Sequence, residues 1–142
     1  MKWVGHRTRN IFPAARLSLM MMPCLFFAAL PGQASSTITA TYLHSGGKSQ
    51  SIRIEVGSPP PSSLILIQKL PPGTNILRSE PPAQKVDPGA GEAKWLFRNL
   101  NPGVIIVSFS VDREISAAEI SGQIRFKSPG GEGMKSLPVN KP

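Results

Sequence analysis

Beyond residue 35 the chain is a succession of short runs in which apolar and polar residues alternate, set between clusters of Pro and Gly. Ile52-Arg-Ile-Glu-Val56 is the plainest, with Ile52, Ile54 and Val56 on one side and Arg53 and Glu55 on the other. Val104 to Val111 sends Ile105, Val107, Phe109 and Val111 one way, against Ser108 and Ser110. Ala93-Lys-Trp-Leu-Phe97 opposes Trp95 and Phe97 to Lys94 and Arg98, and Ile120 to Phe126 holds Ile120, Ile124 and Phe126 in phase. A period of two is the mark of a strand with one buried face, because successive side chains point to opposite sides. Three further runs complete the set. Ser36 to Leu43 is rich in β-branched residues, Leu64-Ile-Leu-Ile67 is apolar throughout, and Asn75 to Ser79 is weaker. The continuous run predicts a strand covered on both faces.

The turns between these runs carry their own chemistry. Pro72-Gly73 and Pro102-Gly103 each place a fixed φ before a residue that tolerates positive φ, as a type II turn demands. With 15 Pro and 13 Gly in 142 residues, long helices are disfavoured, and Arg113 to Glu119 is expected only to link two strands. About seven strands in this length predict an all-β, immunoglobulin-like sandwich over residues 35–127. Trp95 is expected to anchor its core. Residues 128–142, mostly Gly, Pro, Lys and Ser, are expected to form a flexible C-terminal tail.

The first 34 residues follow a different pattern. Lys2, Arg7, Arg9 and Arg16 precede the apolar run Leu17 to Leu30, and Gly32 and Ala34 supply small residues after it. That order describes a secretory signal peptide over residues 1–34, cleaved after Ala34. The apolar run is shorter than the ~20 residues a spanning helix needs and is broken by Pro23. Retention as an uncleaved anchor is the weaker alternative. Arg7 and Arg9 are separated by Thr8, so the twin-arginine pair is absent. Cys24 follows Pro23, where a lipoprotein signal carries a small residue, and leaves with the leader. Residues 35–142 therefore hold no cysteine, and a packed core must replace disulfides. The chain is expected in the periplasm or outside the cell.

Removing the leader also changes the charge. The full chain carries 16 basic and 8 acidic residues, or +8, whereas residues 35–142 carry 12 and 8, or +4. Those cations are scattered singly along the sequence. No linear cluster suggests a nucleic-acid footprint, so no nucleic-acid partner is expected, nor stable membrane insertion after cleavage. A hydrophobic content of 40% with 17% charged residues excludes a disordered chain and a polytopic membrane protein.

Several motifs resemble those of the immunoglobulin-like repeat domains of bacterial secreted and cell-surface proteins, including modules found beside dockerins. They are Leu70-Pro71-Pro72-Gly73, the Trp95 strand, Asn99-Leu100-Asn101-Pro102-Gly103, and Ser121-Gly122-Gln123-Ile124-Arg125-Phe126. The resemblance covers Ile52 to Lys127 and implies a fold more than an activity.

Candidate chemistry is sparse. His44 is the only histidine after the leader, leaving no partner set for a zinc site or a nucleophilic triad. Asp112 and Glu114 flank Arg113 and read as ion-paired residues of a solvated loop. Asp87 and Glu92 bracket a Gly-rich loop, but two acids are few for calcium, which takes six to eight oxygens. Gly89-Ala-Gly91 lacks the helix that would cradle phosphate. No catalytic, metal or cofactor residues are therefore assigned. The expected function is a non-enzymatic binding or structural module acting on a protein partner or surface polymer. The alternative is an accessory subunit of a pilus, secretion or surface assembly that pairs through a sheet edge. The uncharged run Ser36 to Leu43 is the expected docking edge.

Overall fold

The computed structural model describes residues 36–129 and 133–142, so the expected signal peptide lies outside the described residues. The described chain forms nine strands: β1 (Ile38–His44), β2 (Gly47–Val56), β3 (Ser63–Lys69), β4 (Ile76–Glu80), β5 (Lys85–Asp87), β6 (Glu92–Arg98), β7 (Gly103–Ile115), β8 (Ser121–Phe126) and β9 (Lys135–Pro138). A single 3₁₀ turn, Ala117–Glu119, joins β7 to β8. No helix among the described residues is long and apolar enough to cross a membrane.

Two antiparallel sheets make an immunoglobulin-like sandwich. One has the order β1-β2-β7-β4 and the other β5-β6-β3-β8-β9. Their positions in the sheets correspond to A-B-E-D and C″-C′-C-F-G of the nine-stranded immunoglobulin form, but the chain visits them in the order A, B, C, D, C″, C′, E, F, G, so the connections between C and E differ. After β3 the chain crosses to the first sheet for β4 before returning for β5 and β6.

Alternation places the core where the sequence pattern put it. Ile52, Ile54, Val107, Phe109 and Val111 meet Leu64, Leu66, Trp95, Ile124 and Phe126 across the two sheets. Trp95 is buried, its ring centroid 5.5 Å from that of Phe109. Its indole Nε1 donates to Ser79 Oγ at 2.9 Å and to the Pro81 carbonyl at 3.0 Å, so the polar end of the ring is satisfied. Phe97, in phase with it, is half-buried. Ile105 is also only half-buried.

Four expectations are corrected. The strand count is nine, because β5 and β9 each carry one apolar residue and give no alternation to read. The Leu64–Ile67 run is covered on one face only: Leu64 and Leu66 are fully buried, while Ile65 and Ile67 point outward. Gly103 opens β7 at φ 149° and is not the third residue of a type II turn, whereas Gly73 is, at φ 80° with Thr74 N–H bonded to the Pro71 carbonyl at 3.2 Å.

The fourth correction concerns the flexible tail expected over residues 128–142, of which Lys135–Pro138 form β9 and Val139 and Asn140 are packed or bonded against the sandwich. β9 pairs with β8 from Gln123↔Pro138 to Phe126↔Lys135. The chain then crosses to the other sheet, where Asn140 N–H donates to the Ala40 carbonyl (2.8 Å) and Tyr42 N–H to the Asn140 carbonyl (2.9 Å). Val139 between them is buried. It lies so close to Gly122 that a Cβ there would stand 2.6 Å from Val139 Cγ2 and 2.9 Å from Tyr42 Oη. Only glycine fits.

Beneath this seam Tyr42 Oη donates to Gln68 Oε1 at 2.8 Å, and Gln68 Nε2 donates to the Lys69 carbonyl at 3.0 Å. Burial pushes the Tyr42 phenol from 10.0 up to about 12, against the opposing effect of Gln68. A raised folded-state value favours the neutral phenol, so this contribution is complete below pH 10 and is lost as pH rises through 12. Stability measured by urea denaturation should therefore fall between those values. Tyr42→Phe should lower stability at neutral pH and flatten that alkaline limb; an unchanged limb would reject Tyr42 as its source.

Candidate functional site

The residues singled out in sequence do not converge on one centre. Asp112 lies on β7, not in a loop, and its carboxylate accepts from Asn75 Nδ2 at 2.7 Å and from Asn75 N–H at 3.1 Å. Those bonds hold its pKa below the ordinary value, with Arg113 (Nε to Oδ1, 3.8 Å) adding a weaker pull. Asp87 Oδ1 accepts from Ala90 N–H at 3.0 Å and so caps its own turn. Glu92 is bonded to the ammonium of Lys69 and, at 2.6 Å, to that of Lys94, which together bring its pKa from 4.5 to about 2. Both acids of the Gly-rich loop are thus engaged within the fold.

His44 ends β1, exposed, and the register places it in a cross-strand row. His44 faces Ser51, Ser51 faces Ser108, and Ser108 faces Glu80. Ser51 Oγ and Ser108 Oγ lie 3.3 Å apart. The row contains an imidazole, hydroxyls and a carboxylate, but in the wrong order for a nucleophilic triad. The acid is three strand spacings, about 14 Å, from the imidazole it would have to orient. A second row, Ser49–Ser110–Arg78, runs beside it.

The uncharged strand β1 pairs with β2 on one side, so it is a strand of its own sandwich. Its other side meets Asn140 at Ala40 and Tyr42. Part of the expected docking edge is therefore occupied by the chain's own C-terminal segment.

Sheet pairing creates a feature absent from the linear sequence. The outward face of the five-stranded sheet carries Lys85 beside Lys94, Arg98 beside Ser63, Lys69 beside Glu92, and Arg125 beside Ile65. Alternation continues past β8, leaving Lys127 exposed between buried Phe126 and Ser128. Six cations and two acids, Asp87 and Glu92, make +4, which is the whole net charge of residues 35–142. At the centre, Ile65, Ile67 and Leu96 are half-buried, shielded only by neighbouring side chains. Every one of these positions follows the period of two. The signal was present in sequence as cations opposite core residues, but the neighbours needed pairing to be known.

The outward face of the four-stranded sheet is different in character. Arg53 and Glu55 neutralise each other at 3.0 Å, and Val104 and Ile106 are each 52% exposed beside them. Compared with known proteins, the chain matches no family model, no curated protein and no solved structure.

Proposed function

We propose that this chain is an exported, non-enzymatic binding module that docks an acidic protein partner on the outward face of its five-stranded sheet. The observation that carries the reading is the gathering of the net charge around Ile65, Ile67 and Leu96. An apolar centre inside a polar, charged rim is the anatomy of a protein interface, and a basic rim selects and steers an acidic partner. A polyanion would use the cations but would leave the apolar centre without a role. Export rests on the basic, apolar and small-residue order of residues 1–34. The resemblance to secreted and cell-surface modules points the same way. The edge-pairing reading is weaker, since Asn140 already meets β1 at Ala40 and Tyr42.

Two sets of substitutions separate these readings. Arg125 and Lys127 make no ion pair among the described residues, so reversing both should leave the fold intact. The double change Arg125→Glu with Lys127→Glu should abolish capture of the partner from an extracytoplasmic extract, and capture by the unaltered protein should weaken as salt rises. Thr39→Lys with Thr41→Lys, on β1, should leave capture unchanged. If the β1 pair eliminates capture and the β8 pair does not, the face is the wrong surface.

A further inference from the structure

A cavity lies on the opposite side of the sandwich, on the outward face of the four-stranded sheet. The two rows His44–Ser51–Ser108–Glu80 and Ser49–Ser110–Arg78 line this shallow, open cavity of about 330 Å³. Serines occupy its middle strands and make a low floor, closed from beneath by the buried Phe109. Taller side chains form its walls, with His44 on β1 facing Arg78 and Glu80 on β4.

The walls are chemically open. Arg53 and Glu55, two residues apart on β2, close an ion pair at 3.0 Å. Arg78 and Glu80 have the same spacing on β4, yet neither makes an ion pair or a side-chain hydrogen bond among the described residues, and nor does His44. A cation and an anion thus face the cavity, and their charges cancel. An anionic ligand would meet Glu80 and a cationic one Arg78. A neutral ligand rich in hydroxyls meets no repulsion. Its oxygens accept from the guanidinium, its hydroxyls donate to the carboxylate, and the four serine hydroxyls serve as donor or acceptor as required. The carbon surface of the floor suits the C–H face of a sugar ring. The volume is at the small end of the ~300–1,000 Å³ typical of ligand sites, enough for one or two rings.

We infer that this cavity binds a neutral saccharide. The inference is independent of the docking face proposed above. The test is titration of the ¹⁵N-labelled protein with cellotriose, maltotriose and N,N′,N″-triacetylchitotriose, with trigalacturonate as the anionic probe and Gly-Gly as a zwitterionic one. At least one neutral trisaccharide should move the amides of Ser49, Ser51, Ser108 and Ser110 saturably. Arg78→Ala and Glu80→Ala should each weaken that binding about tenfold or more, as loss of a charged hydrogen-bond partner does. Ser63→Leu, on the other face, should leave it unchanged. The inference is overturned if no neutral probe moves those amides at tens of millimolar, if Arg78→Ala and Glu80→Ala leave the affinity unaltered, or if trigalacturonate or Gly-Gly binds more tightly there.

Discussion

Trp95→Ala should destabilise the protein by about 3–5 kcal/mol, the cost of truncating a fully buried large aromatic. Three losses combine at this position. The ring is 1% exposed and fills the space between the sheets, it packs against Phe109, and its Nε1 donates to Ser79 Oγ and to the Pro81 carbonyl, which Ser79 Oγ also bonds. Phe109→Ala should fall in the same range, and the double variant should cost less than the two together because the rings touch. Leu96→Ala, one residue along but on the outward face, should cost about 1 kcal/mol or less. Urea denaturation of the four variants decides the matter. Equal losses at Trp95 and Leu96 would mean that the faces of β6 are wrongly assigned.

Deleting Val139 to Pro142 should cost about 3 kcal/mol and lower the thermal midpoint by on the order of 10 °C. The deletion exposes the surface covered by Val139, itself 6% exposed. It also removes three backbone bonds, Val139 to Gly122, Asn140 to Ala40 and Tyr42 to Asn140, and so opens β1 along its outer side. Gly122→Ala should reproduce much of the loss without shortening the chain, since the added methyl would collide with Val139 and Tyr42. Lys141→Ala, which removes only an exposed bond from Nζ to the Ala117 carbonyl (2.7 Å), should change stability by less than about half a kcal/mol. Calorimetry reads all three. A truncated chain that melts with the full-length protein would show that the seam contributes nothing to stability.

The contrast between Trp95 and Val139 shows which features were legible in the residues alone. The faces of β2, β6, β7 and β8 could be read because each carries several apolar residues at a period of two, and that period follows from strand geometry whatever the neighbours are. β9 could not be read. Lys135-Ser-Leu-Pro138 has one apolar residue and a proline, and it is held by backbone pairing to β8 and by the crossing at Asn140. β5, three exposed residues, is a strand only because β6 lies beside it. An edge strand covers little core, so its composition need not show that it is one.

The same reasoning separates the candidate sites. Alternation by itself determined that Lys94, Arg98 and Arg125 point away from the core, and that Ser108 and Ser110 do too. Which of them stand together was decided only by the tertiary structure. Arg125 reaches Ile65 because β8 pairs with β3, and Ser51 reaches Ser108 across 57 residues because β2 pairs with β7. Side-chain direction is a local property of the extended backbone, set residue by residue. Lateral neighbours depend on strand order and register, which the sandwich settles by packing all its apolar faces at once.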